Sequence, residues 1–139
     1  MTAKAAAVPA ISETAFLGQV LELAALLGWE GVHFRGAWTA RGYRTPVQGS
    51  LGKGWPDLVL VRARDRRLIF AELKADGGKT SPEQNRVLGV LGELVADDVK
   101  CGEVPAAHLD GERRGCCLPA IEVYVWRPAE FDAITEILR

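Results

Sequence analysis

Asp57, Glu72 and Lys74 are the residues whose types and spacing point most directly to chemistry. They stand in the run PDLVLVRARDRRLIFAELK, residues 56–74, at the outer ends of two apolar segments joined by a polar connection. Carboxylates inside an apolar core are costly unless something pairs with them. If the two acids face one site, their repulsion calls for a cation, and hard oxygen ligands favour Mg2+ or Mn2+. A lysine beside them can hold a nucleophilic water or stabilise a pentacovalent phosphate. Together these are the components of phosphodiester hydrolysis: a metal to activate water and positive charge for the transition state. The same three residues also read as sheet-edge charges, salt-bridged to one another and to neighbouring arginines. Charge and spacing alone leave both readings open.

The element that must bring these residues together is a hairpin. Val59 and Val61 alternate with Leu58 and Leu60, and Leu68, Phe70 and Glu72 alternate with Ile69, Ala71 and Leu73. That period of two predicts paired strands around RARDRR. A two-residue turn at Arg64-Asp65, or a four-residue loop over 63–66, gives one register, and it sets Asp57 opposite Glu72. Directly opposed residues have Cβ atoms about 4.5–5.5 Å apart on one face. Lys74 follows on the Glu72 face. A bulge would shift the pairing by one and separate the acids.

Two helices flank the hairpin in sequence. Ser12 is a candidate N-cap for ETAFLGQVLELAALLGW, where Phe16, Val20, Leu23, Ala24 and Leu27 recur at helical spacing and Gly28 closes the run. At about 100° per residue, Glu13 falls within the apolar arc while Glu22 points to the surface. Glu13 therefore has two accounts: a functional carboxylate, or a first-turn acid suited to the helix dipole. After ADGGKT, Ser81 caps a second helix with Pro82 at its first position. Val87, Leu88, Leu91, Leu94 and Val95 form its apolar stripe. Gln84 occupies the third helical position, where it suits a capping box with Ser81, yet it also lies on the side of the Glu72 strand.

GVHF is a short strand candidate, IEVYVW a clear one, and RPAEFDAITEILR a closing helix with Phe131, Ile134, Ile137 and Leu138 inward. Residues 35–54 and 98–119 lack periodicity and are expected to be irregular. The first of these is rich in glycine and arginine around Trp38 and Tyr43, a composition suited to contacting nucleic-acid backbone and bases, and equally that of a flexible insertion. The second holds Cys101, His108, Cys116 and Cys117, but no C-x-x-C pair, so free thiols are expected rather than a zinc site. The predicted class is α/β, with a mixed sheet flanked by helices.

The 139 residues make one domain over 12–139, preceded by a loose tail at 1–11 whose alanine run is too weak for a signal peptide. No apolar stretch is long enough to span a membrane. Three cysteines, an odd count, point to a reducing cytoplasm rather than a disulfide framework. The 17 basic and 18 acidic residues balance, but Arg35 to Lys74 holds nine basic against three acidic residues. Such a basic middle is a local footprint for a polyanion. For the arginines at the hairpin tip, solvated turn charges are the preferred account.

GWPDLVLVR, LIFAELK and SPEQ together resemble the PD-(D/E)XK nuclease superfamily, and more narrowly the VRR-NUC branch of phage and bacterial single-domain nucleases. The likeness extends from SETAFLGQVLELAALLGW through His33 to VYVWRP and the last helix. It implies a restriction-endonuclease-like core and a Mg2+- or Mn2+-dependent DNA endonuclease. The expected substrates are branched or structured DNA such as Holliday junctions, and the expected assembly a homodimer in the cytoplasm of a bacterium or phage-infected host. By the same resemblance, Asp57 and Glu72 ligate the metal with the Leu73 carbonyl, and Glu13 matches an acidic position that often completes the site. Lys74 positions water or stabilises the phosphate, and Gln84 supports the site. Arg35, Arg41, Arg44 and Lys53 are the expected DNA contacts. A binding module of the same fold without cleavage is the alternative. The long 98–119 segment departs from the family pattern.

Overall fold

The computed structural model describes residues 9–44, 46–95 and 120–139. Helix α1 runs Glu13–Leu26, and the Ser12 side chain accepts the Ala15 N–H at 3.2 Å. Phe16, Val20 and Ala24 bury one face of it, Leu17, Leu21, Leu23 and Leu27 pack around them, and Glu22 is exposed. Gly28, at φ +79°, turns the chain out of the helix, a conformation in which glycine carries no Cβ penalty.

Four strands form the main sheet in the order β1 (Glu30–His33), β4 (Leu58–Arg62), β5 (Arg67–Leu73), β6 (Ala120–Trp126). β1 and β5 each run antiparallel to β4, which lies between them, while β6 runs parallel to β5. The β4–β5 register runs from Leu58 opposite Ala71 to Arg62 opposite Arg67, without a bulge. This is the register the turn predicts. The Arg66 N–H closes on the Ala63 carbonyl at 3.2 Å, with Arg66 itself at φ +60°.

One face of the sheet presents Leu58, Leu60, Ile69, Ala71, Leu73 and Trp126 to α1 and to α3 (Phe131–Leu138), which adds Ile134 and Leu138 to the core. A single 3-10 turn, Pro128–Glu130, leads into α3. Helix α2 (Pro82–Gly92) buries Val87 and Leu91 outside that cluster and lies along β6. Its first turn reaches Glu72, which strand alternation puts on the face opposite Leu73. The expected α/β class and mixed sheet flanked by helices are what the chain adopts.

Three local expectations need correction. Residues 35–54 are not wholly irregular: β2 (Ala37–Thr39) and β3 (Gly42–Arg44) pair as a separate two-stranded hairpin. The α2 stripe is shorter than its apolar residues suggest. The helix ends at Gly92, leaving Leu94 and Val95 exposed. Gly89 and Gly92 lower the helix propensity just where the stripe would continue.

The third concerns the hairpin-tip arginines, which are not all solvated. Arg62 is only 3 % exposed and donates to the Leu138 carbonyl at 2.6 Å, the Leu27 carbonyl at 3.3 Å and both Asp65 oxygens, lying 4.3 Å over the Trp29 ring. Arg67 pairs with Glu122 at 2.7 Å and with the Ile137 carbonyl. These guanidiniums satisfy carbonyls at the ends of α1 and α3 that would otherwise lack partners. The segment 98–119, with Cys101, His108, Cys116 and Cys117, lies outside the described residues.

Candidate active site

The open end of the β4–β5 hairpin, away from the arginine cluster, gathers the acids. Asp57 immediately precedes β4, and its carbonyl accepts the Phe34 N–H at 2.9 Å, fixing the chain just beyond β1. Its side chain crosses to the neighbouring strand, where Oδ2 accepts the Leu73 N–H at 2.9 Å. Trp55, two residues upstream, holds the approach by edge-to-face contacts with Phe34 and Phe70 at 6.2 and 5.7 Å.

Glu72 is 1 % exposed. Its Oε1 accepts from Lys74 Nζ at 2.8 Å and from Gln84 Nε2, while Oε2 is buried with no hydrogen-bond partner among the described residues. Burial pushes the carboxyl up to about 7; the Lys74 ammonium pulls the other way, and the adjacent Asp57 reinforces the rise. Burial also works against charge on Lys74. The Glu72 carboxylate, with Glu13 and Asp57 adding to it, outweighs that effect and holds the ammonium above its usual value.

Gln84 makes contacts on both sides, to the helix cap and to Glu72. Its Oε1 accepts the Ser81 N–H at 2.8 Å and its own N–H donates to Ser81 Oγ at 3.1 Å, completing the capping box. The remaining amide group reaches Glu72. The loop before Asp57 is seated on the same helix end. Gly54, at φ +92°, lies against the Glu83–Gln84 backbone with no space for a Cβ. Arg86 bonds the Ser50 carbonyl at 3.0 Å. Lys53 pairs with Glu83 at 2.6 Å, so this expected DNA contact already has a partner, although 81 % of its side chain is exposed.

A cavity of about 380 Å³ opens over Asp57 and Leu73, and Glu13, His33, Arg35 and Tyr43 also line it. Glu13 thus reaches the site from the first turn of α1. Among the described residues, however, no group of three or more acids, histidines or cysteines is close enough to form a ready-made metal cluster. Glu13 lines the cavity with Asp57 without closing such a cluster. Arg35 is exposed at the cavity, Arg41 is exposed at the β2–β3 turn, and Arg44 stands in β3 opposite Ala37. His33 and Tyr43 are cavity residues that sequence reasoning did not assign. His33 was accessible in principle, because it closes β1 directly opposite Leu58, one residue from Asp57.

The donor set suits a hard divalent cation. It offers two carboxylates beside the Lys74 ammonium, one of them with a buried oxygen that has no partner among the described residues. The family model of the VRR-NUC domain matches residues 43–111, a stretch that contains Asp57, Glu72, Lys74 and Gln84 but not Glu13. No curated protein and no solved structure matches the chain.

Proposed function

This chain belongs to the VRR-NUC family and carries the α/β core of a nuclease-type, DNA-acting domain; on that premise we propose that it is a divalent-metal-dependent DNA endonuclease. The observation that carries the reading is Glu72: a buried carboxylate with one orphaned oxygen, beside Asp57 and within 2.8 Å of Lys74. A merely structural ion pair would have no use for a second acid pressed against the first. Asp57 and Glu72 would hold Mg2+ or Mn2+, with the Leu73 carbonyl as a third oxygen and Glu13 available from the cavity wall. Such an ion, when bound, supplies Lewis-acid polarisation of the phosphodiester and acidifies water.

The chain's own groups do the rest. The Leu73 N–H fixes one Asp57 oxygen and leaves the other for ligation. Gln84 orients the Glu72 carboxylate. Lys74, held charged, donates to the attacking water or to a non-bridging phosphate oxygen as negative charge develops there. Arg35, Arg41, Arg44 and Lys53 follow the backbone phosphates. Branched or structured DNA such as a Holliday junction is the substrate this reading favours, and a homodimer would present two such sites to two strands. The setting is a bacterial or phage-infected cytoplasm. Among the described residues, no helix is long and apolar enough to cross a membrane.

The test is cleavage of labelled linear, flap and four-way DNAs with Mg2+, Mn2+ or EDTA, beside Asp57→Asn and Lys74→Ala. Metal-dependent cleavage by the unaltered chain, lost in both variants, is expected. Equal activity in the variants overturns the site. Binding without any cleavage favours a DNA-binding module instead.

A further inference from the structure

Trp38 and Tyr43 face each other across the β2–β3 hairpin, 82 % and 60 % exposed, with ring centroids 5.6 Å apart and planes at 67°. The hairpin takes no part in the main sheet, and every residue of β2 is exposed. A two-stranded ribbon of this kind is marginal in water on its own. Leaving its two largest apolar side chains uncovered adds nothing to folding. Packing therefore does not account for it.

The ribbon is nevertheless built rather than frayed. Thr39 Oγ1 accepts the Arg41 N–H at 3.2 Å and donates to the Gly42 carbonyl at 2.8 Å, and Gly42 supplies a φ of +99°. At the root, a Cβ on Gly36 would run into the Tyr43 ring, so glycine there lets the ring lie over the backbone. The aromatic pair is held in place at low entropic cost.

Its position joins two spaces. Gly36 and Tyr43 line the cavity that contains Asp57. Tyr43 also lines a second hollow of about 660 Å³, together with Arg41 and Lys53. Tyr43, with Trp38 edge-on against it, thus stands between Asp57 and a basic surface, with Arg35 on the cavity side.

We propose that this hairpin is a stacking platform for an unpaired nucleobase adjoining the phosphate to be cut. It would make the enzyme selective for DNA with unpaired nucleotides at the cleavage point: a single strand, a flap or an open branch point. The proposal rests on the nuclease reading and narrows its substrate class. Arginines interleaved with exposed aromatics match a phosphate backbone with free base faces. A blunt duplex, whose bases are already stacked on one another, offers no such face.

The experiment uses the full chain with Asp57→Asn, so that cleavage does not obscure binding. Affinities are measured by fluorescence anisotropy for a labelled oligodeoxynucleotide, a flap and the matching blunt duplex. A 2-aminopurine placed along the single strand reports stacking. Trp38→Ala is expected to weaken the single strand and flap by about 10-fold or more. It should change the duplex by less than about twofold and relieve 2-aminopurine quenching, whereas Trp38→Phe retains most of both. Unchanged affinities, or equal losses on duplex and unpaired DNA, overturn the proposal, as does binding of a protein ligand in place of any DNA. Cleavage by the chain with Asp57 intact is scored separately. Metal-dependent cutting with no Trp38 effect sinks the platform and spares the nuclease, and the converse result does the reverse.

Discussion

The Leu73 N–H donates to Asp57 Oδ2 at 2.9 Å, tying the residue before β4 to the last residue of β5. This bond makes the effect of substitution depend on what replaces the carboxylate. Asp57→Asn keeps an acceptor for the amide, so its unfolding midpoint should stay close to that of the original chain. Cleavage should fall by about 100-fold or more, because the anionic ligand is gone. Asp57→Ala should lose the same activity and, in addition, about 1–3 kcal/mol of stability from a part-buried donor left without a partner. Urea titrations beside a cleavage assay separate the two losses. Equal stability of both variants would show that the bond is not structural.

Glu72 gives stability an unusual pH dependence. Its folded-state value of about 7 lies above its ordinary 4.5, so the folded form binds the proton more tightly than the unfolded one does. A carboxylate raised in this way costs nothing below the ordinary value. The penalty grows as pH rises from about 4.5 and is complete above about 7, where it is on the order of 3 kcal/mol. Asp65, Glu83 and Glu122, whose values are lowered, act in the opposite sense. The measurement is therefore the difference between Glu72→Gln and the original chain. The variant should be more stable at pH 8, and the gap should close towards pH 4. Saturating Mg2+ or Mn2+ should close it at pH 8 as well, by stabilising only the chain that retains Glu72. A gap that widens on acidification would overturn the assignment.

Gln84 links helix capping to the site, and two substitutions pull these roles apart. Ser81→Ala removes the side-chain acceptor of the cap and should cost about 1 kcal/mol of stability, with cleavage little changed once folded protein is counted. Gln84→Glu keeps an oxygen for the Ser81 N–H but sets a third acid beside Glu72. Its stability at neutral pH should fall, and its cleavage should fall by about 10-fold or more through a misoriented, harder-to-ionise ligand. Normal cleavage by Gln84→Glu would reduce Gln84 to a cap.

Much of this fold and site is legible in the chain itself, for reasons that can be named. A tight connection without a bulge transmits register along a hairpin, so Asp57 and Glu72 can be set opposite each other from the turn alone. Ser12 and Ser81 mark helix starts by the same local chemistry that the structure uses. Local patterns do not report what arrives from far along the chain. Strands β2 and β3 have only three residues each, and β2 is exposed throughout, so they leave no alternation to read. Arg62 continues the inward phase of Leu58 and Leu60, which hints at its burial. Only the fold brings the Leu27 and Leu138 carbonyls that make that burial tolerable.

The basic residues of the chain's middle accordingly divide into two kinds, and salt dependence should tell them apart. Arg62→Met removes a buried cation from Asp65, Trp29 and three helix-end carbonyls, and should destabilise the fold by about 3 kcal/mol or more. Its DNA affinity per folded molecule should be unchanged. Arg41→Ala removes an exposed side chain from the β2–β3 turn and should leave the unfolding midpoint where it was. For each phosphate that is no longer neutralised, however, the slope of log affinity against log salt should fall by about 0.9 on duplex DNA or about 0.7 on a single strand. Arg35→Ala is expected to behave like Arg41→Ala. If Arg62→Met flattened the salt slope while Arg41→Ala did not, the DNA would have to lie across the closed end of the β4–β5 hairpin, and the path proposed past the β2–β3 hairpin would be wrong.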